Sequence, residues 1–182
     1  MVILKTSRLI LRKLTSNDTE FIVELLNEPS FIKYIGDKKV RTTKDAEKYL
    51  LHGPIKSYEQ HGFGLYLVEL KETNEPAGVC GLIKREHLDN VDIGFAFLKR
   101  FNGKGFVTES AKAVLDYGKS EFGLKRIVAI TQLDNMGSIR VLEKIGMSFE
   151  KLIRLPDEDK DLKLYSVSFN SSIETDMPLN SF

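Results

Sequence analysis

Two glycines separated by one residue, Gly103 and Gly105, lie in the segment Phe97-Leu98-Lys99-Arg100-Phe101-Asn102-Gly103-Lys104-Gly105-Phe106-Val107-Thr108-Glu109. It reads as a strand, a turn and the opening of a helix. The first amides of a helix have no partner inside it, and the helix dipole adds partial positive charge there. Glycines at that point remove the side chains that would keep a diphosphate off the backbone. Lys99, Arg100 and Lys104 add a local basic patch. The spacing is not that of a P-loop, which requires four residues between its first glycine and a Gly-Lys-Ser/Thr run. Nor is it a dinucleotide fingerprint, because Thr108 stands where the third glycine belongs. Among other reactive types, the single cysteine, Cys80, lies in an apolar run and reads as core. It leaves no intramolecular disulfide, and with His52, His61 and His87 it gives no zinc-type spacing, so no metal is expected.

These groups need a frame. The 182 residues fit one domain with a substantial core, and 42% hydrophobic with 29% charged residues is ordinary for a globular chain. A net charge of +1 argues against nucleic acid or anionic membrane as a partner held by bulk electrostatics. No apolar run approaches the ~20 residues of a membrane helix, and Val2-Ile3-Leu4 is too short for a signal peptide. A cytoplasmic setting is expected.

Residues 8–14 read as a strand. Ser16-Asn17-Asp18 offers caps for a helix carrying Phe21, Ile22, Leu25 and Leu26, which Pro29 ends. Thr42 and Thr43 cap a second helix, with a break at Gly53-Pro54. Strands over 63–70, 77–83 and 91–98 form an antiparallel meander. The glycine turn then opens a helix ending at Gly123. A strand over 127–130, a helix over 135–145 closed by Gly146, and a strand over 162–169 follow. Residues 1–169 form the domain, and 170–182 read as a loose tail.

Arg100-x-x-Gly103-x-Gly105 resembles the acyl-CoA signature of the GNAT superfamily of N-acetyltransferases. Further blocks resemble the RimJ/RimL-like branch, the ribosomal-protein N-terminal acetyltransferases. They are Thr6-Ser7-Arg8-Leu9-Ile10-Leu11-Arg12, Asp92-Ile93-Gly94-Phe95, Asn135-x-x-Ser138 with Leu142 to Met147, and Asp161-Leu162-Lys163-Leu164-Tyr165-Ser166. They stand in family order from about residue 6 to residue 169. The resemblance implies an α/β (α+β type) fold whose mixed, mostly antiparallel sheet is flanked by helices and splays open between its fourth and fifth strands, with acetyl-CoA in the gap. Backbone groups of Phe97 and Leu98 are then expected along the pantetheine. Arg100, Asn102, Gly103, Lys104, Gly105, Phe106 and Thr108 are expected around the diphosphate, with Lys104 or Lys144 near the 3′-phosphate. Asn135 is expected on the pantetheine, its alternative being a plain helix cap.

The implied chemistry is direct attack of an amine on the thioester. Many superfamily members carry a Tyr on the last helix as the acid for the thiolate; that position is Leu142 here. In the resembling branch the role falls to a Ser three residues after the Asn, which is Ser138, its alternative being a serine bonded to the previous turn. Tyr165 is a second candidate acid, its alternative a strand residue with one wet edge. Asp92 is the candidate base, acting through water, against a solvated strand-edge aspartate. Glu109 is expected to complement the helix dipole. The acceptor is a primary amine, with a protein N-terminal α-amine favoured over a polyamine or antibiotic, and its pocket is shaped mainly by residues 28–64. The contrasting readings are a non-catalytic acyl-CoA sensor and, more distantly, a nucleic-acid binder. Monomer and homodimer both remain open.

Overall fold

Leu9 and Leu11 are fully buried and two residues apart, as a strand with one covered face requires. They lie on the second arm of an opening hairpin, β1 (Val2–Lys5) and β2 (Leu9–Lys13). The computed structural model describes residues 1–156 and 159–169, so the tail expected over 170–182 lies outside the described residues. A helical segment follows: a 3₁₀ turn, Ser16–Asp18, then α1 (Thr19–Leu26), α2 (Pro29–Tyr34), α3 (Thr43–Leu50), a π turn over Leu51–Ile55 and α4 (Lys56–His61). Next come β3 (Leu65–Leu70), β4 (Pro76–Ile83) and β5 (Asp92–Phe97). The remaining elements are α5 (Phe106–Phe122), β6 (Arg126–Gln132), α6 (Met136–Lys144), β7 (Ser148–Ile153) and β8 (Leu162–Ser168).

The strands form one eight-stranded sheet in the order β1-β2-β3-β4-β5-β6-β8-β7. Every pairing is antiparallel except β5 with β6. That parallel pairing has a single registered pair, Asp92 with Val128, and beyond it the two strands part. The expected mixed, splayed sheet is therefore present, with its gap between β5 and β6.

Which helix covers which face follows from one contact. A Cβ placed on Gly118 of α5 would lie 2.9 Å from Ile127 and 3.1 Å from Leu82, so α5 rides on the face that carries both. Leu82 is paired with Ile93. By strand alternation Ile93, Phe95 and Phe97 share that face with Ile127, Ala129 and Thr131. Asp92, Gly94 and Ala96, with Val128, Ile130 and Gln132, turn to the opposite face. There Gln132 Nε2 donates to the Lys33 and Tyr34 carbonyls at the end of α2, 3.2 Å from each.

The structure adds β1, α2 and β7 to the expected elements. Pro29 does not end the first helix, which stops at Leu26; it opens α2 at its first turn, where its missing N–H is not needed. Asp18, from the expected Ser16-Asn17-Asp18 run, holds the N-cap position of α1 but makes no side-chain cap bond to it; its carboxylate instead closes a capping box with Thr15 around the 3₁₀ turn. Thr42 caps α3 in the same way, as expected. The Gly53-Pro54 break is a π turn through which the chain continues as helix. β7 is an edge strand exposed along most of its length, so it carries no apolar alternation to mark it.

Candidate active site

Backbone groups in an antiparallel ladder point alternately to one neighbour and the other. The Leu98 N–H donates to the Ala77 carbonyl at 3.0 Å, which sets the phase of β5: Leu98, Ala96 and Gly94 bond towards β4. Ile93, Phe95 and Phe97 therefore turn their N–H and C=O groups towards β6. The Val128 N–H, donating to the Val91 carbonyl at 3.0 Å, shows the same phase at the closed end of the gap. Above the Asp92–Val128 pair, Phe95 and Phe97 thus face the gap with no strand opposite them among the described residues. This corrects the expectation for Leu98. Its N–H is committed to Ala77 and its carbonyl accepts from the Phe101 N–H at 2.9 Å, so the open edge belongs to Phe95 and Phe97.

At the end of β5 a 3₁₀ turn over Lys99–Phe101 leads into Gly103 and Gly105, whose φ angles are +75° and +80°. These are left-handed values that glycine adopts without strain. Gly105 precedes the first residue of α5 and among the described residues no side chain caps that helix, whereas Thr42 and Asn135 cap α3 and α6. The first bond into α5 runs from the Glu109 N–H to the Gly105 carbonyl, 3.0 Å. The amides of Phe106, Val107 and Thr108 are left without intrahelical acceptors and point out of the helix end. The turn and first helical residues are as the sequence predicts, and their amides suit an anion.

Two side chains differ from expectation here. Glu109 does more than complement the dipole. Its carboxylate accepts from Thr6 Oγ1 (2.6 Å), the Arg8 N–H (2.8 Å) and Arg8 Nε (2.7 Å). Arg8 in turn donates from Nη1 to the Lys104 carbonyl at 3.0 Å and lies over the Phe106 ring at 4.5 Å. The β1–β2 turn thereby holds the glycine turn in place. Glu109→Ala is expected to raise the KM for acetyl-CoA about tenfold, the effect of losing roughly 1.4 kcal/mol of charge-assisted bonding, with kcat nearly unchanged; steady-state kinetics at varied acetyl-CoA checks it. The Arg100 side chain does not reach the turn: it pairs with Glu24 of α1 and with Glu75 at 3.3 Å. Lys104 is exposed, 5.5 Å over the Phe101 ring.

On the β6 side, Asn135 is the N-cap of α6, its Oδ1 accepting from the Ser138 N–H at 3.2 Å. The capping alternative is realised, and among the described residues its Nδ2 has no partner. Ser138 is one turn before the buried Leu142 and half-buried. Ser110 and Ser120 bond back to the preceding turn, but Ser138 Oγ makes no such bond among the described residues. Tyr165 has no wet edge. It is 3% exposed, opposite Ala129 in the ladder and edge-on to Phe149, and burial raises its pKa. Asp92 is not a solvated strand-edge residue either. It is 1% exposed, with Arg85 Nε 3.1 Å from both carboxylate oxygens. Burial lifts its pKa to about 6 against the opposing pull of Arg85. Cys80 is fully buried and its thiol is pushed up to about 12, as a core residue.

The acetyltransferase (GNAT) domain family matches residues 8–148. The Bacillus subtilis protein YkkB is 34% identical over 155 residues, 83% of this chain and 88% of that protein. The chain belongs to the GNAT acetyltransferase family. The crystal structure of a GNAT-family acetyltransferase from Bacillus anthracis superposes with a TM-score of 0.76 at 30% identity, covering 92% of this chain and 98% of the other. RimL, a ribosomal L7/L12 α-N-protein acetyltransferase solved with coenzyme A, shares the fold with a TM-score of 0.79 at 20% identity, covering 92% and 98%.

As a GNAT enzyme the chain is an acetyl-CoA-dependent acyltransferase, and its gap fits that donor. An open strand edge, at Phe95 and Phe97, leads out to a helix end with free amides. Asp92 sits at the closed end of the gap, on the face away from α5. Sequence reasoning passed over Arg8, Arg85 and Gln132, whose partners are set by tertiary contact. Arg8 alone had a signal, standing inside the Thr6–Arg12 block. Among the described residues no helix is long and apolar enough to cross a membrane.

Proposed function

We propose that this GNAT enzyme acetylates protein N-terminal α-amines. The observation that carries the donor half is the unpaired β5 edge running out to an uncapped α5. The pantetheine amides extend the sheet along Phe95 and Phe97. The Asn102 N–H is committed to the Lys99 carbonyl at 3.1 Å, so the amides of Gly103, Lys104, Gly105, Phe106 and Thr108 hold the diphosphate, while Arg100 ties the preceding 3₁₀ turn to Glu24 and Glu75. Asn135 donates to the pantetheine from its free amide. The acceptor enters from the face of α1–α4 and meets the thioester above Asp92.

The amine nitrogen attacks the carbonyl carbon, the C–S bond breaks, and the electron pair leaves on sulphur. Asp92 receives the amine's proton through water, and the Ser138 hydroxyl hydrogen-bonds the thiolate and passes it a proton that it regains from solvent water. An α-amine with a pKa of ~7.7–8.0 is partly neutral at pH 7, unlike lysine at ~10.4, so one weak base suffices. The charges near the acceptor face support this choice over a polyamine. Lys33 and Asp134 pair at 3.3 Å, Lys160 and Asp161 line the same shallow depression, and Asp92 is already paired with Arg85. Among the described residues that line the depression, two lysines offset two aspartates. A cytoplasmic setting accords with this substrate class.

The test is acetyl-CoA-dependent thiol release with peptides bearing free N-termini, N-terminally blocked lysine peptides, polyamines and aminoglycosides. Turnover is expected with free N-termini; turnover confined to another class overturns the acceptor reading. In the same assay Ser138→Ala is expected to lower kcat about 10- to 100-fold with the acetyl-CoA KM little changed.

A further inference from the structure

Thr131 is 6% exposed, and its Oγ1 has no hydrogen-bond partner among the described residues. Buried hydroxyls in folded proteins nearly always have one, so an orphan calls for an explanation. Its place in the fold supplies one. Thr131 lies on β6 beyond the Asp92–Val128 pair, where β5 and β6 have parted. Its side chain is on the face that it shares with Ile127 and that α5, the helix opened by the glycine turn, covers. Carrying the parallel register forward from Asp92–Val128 puts Thr131 level with Phe95, whose backbone forms the inner part of the open β5 edge. At about 3.3 Å per residue that level is roughly 10 Å above the closed end. Four residues on, Asn135 starts α6 with Ser138 in its first turn.

We propose that the Thr131 hydroxyl is a further catalytic group of the acetyl transfer, donating a hydrogen bond to the sulphur of acetyl-CoA. The proposal rests on the gap holding acetyl-CoA. The β5 wall meets the donor with backbone groups; the β6 wall meets it with this side chain. A thioester sulphur is a weak acceptor, whereas the departing thiolate is a charged one, so the bond strengthens as the C–S bond breaks. Thr131 keeps its own proton throughout. The electron pair of the broken bond stays on sulphur, and the proton that finally makes the CoA thiol comes through Ser138, which regains one from solvent water. The orphan donor thus gains its acceptor when the donor substrate binds.

Thr131→Val removes the hydroxyl at nearly constant shape, and Thr131→Ser restores it. Three readouts on each protein test the role: acetyl-CoA affinity by calorimetry, kcat with the best acceptor of the panel, and the pKa of the bound CoA thiol from ultraviolet thiolate absorbance. Thr131→Val is expected to lower kcat roughly 10- to 100-fold and raise the bound thiol's pKa by about one unit or more. Acetyl-CoA affinity should stay within about twofold, and Thr131→Ser should recover both losses. An unchanged thiol pKa, or a loss of kcat that Thr131→Ser does not recover, overturns the proposal and leaves Thr131 a packing residue. If the unsubstituted protein binds no acetyl-CoA in the calorimeter, the donor reading itself fails and the proposal falls with it.

Discussion

Gly105→Glu is expected to abolish acetyl-CoA binding while leaving the chain folded. Gly105 has a φ of +80°, and a side chain there costs on the order of 1–2 kcal/mol in backbone strain. Its Cβ would stand 3.3 Å from Arg8 Nη2, the guanidinium that supports the Lys104 carbonyl, so a new carboxylate would draw Arg8 off that carbonyl. It would also place negative charge at the helix end meant for a diphosphate, reversing an interaction of about 1 kcal/mol or more. Together these predict an affinity loss of roughly 100-fold or greater. Gly105→Ala isolates the strain and should lose about tenfold. Calorimetric titration with acetyl-CoA, beside a thermal melt showing a folded variant, decides it. Retained affinity in Gly105→Glu would place the diphosphate elsewhere.

The second large effect is at Asp92. Folding raises its carboxyl from 3.8 to about 6, so the folded state holds the proton more tightly than the unfolded chain does. The resulting contribution to stability is complete below pH 3.8 and is lost as pH rises through 6. A shift of this size corresponds to roughly 3 kcal/mol. Asp92→Asn removes the titration, so the stability difference between variant and parent should move in the variant's favour between about pH 4 and 7 and then level off. Taking the difference cancels carboxylates whose pKa is lowered, such as Asp18 and Glu109, which act in the opposite sense. Denaturant melts across that range measure it. Activity should change the other way. With Asp92 as base, kcat/KM rises through pH 6, and Asp92→Asn loses that limb together with about 100-fold or more in kcat at pH 7. A variant that gains stability but keeps its rate would make Asp92 a structural charge, with the amine deprotonated by solvent alone.

Much of this protein is legible in local sequence. Gly103 and Gly105 mark a turn because few other residues take positive φ there. Thr42 and Gly123 mark helix ends because capping involves neighbours a few residues away. The apolar runs of β3, β4 and β5 mark strands because two covered faces demand them. The resemblance of five ordered blocks carried the family and the splayed sheet. Tertiary structure decided the rest. Which of Phe97 and Leu98 offers its backbone to the gap depends on the register of β5 against β4, and a shift of one residue would reverse it. Glu109 meets Arg8 across 101 residues and Arg100 meets Glu24 across 76, distances at which no periodicity links side chains. Asp92 reads as a solvated edge in a local window because the burial that lifts its pKa comes from elements packed over it. Local patterns report what a residue's own segment needs, whereas protonation, pairing and exposure are set by the segments that fold onto it.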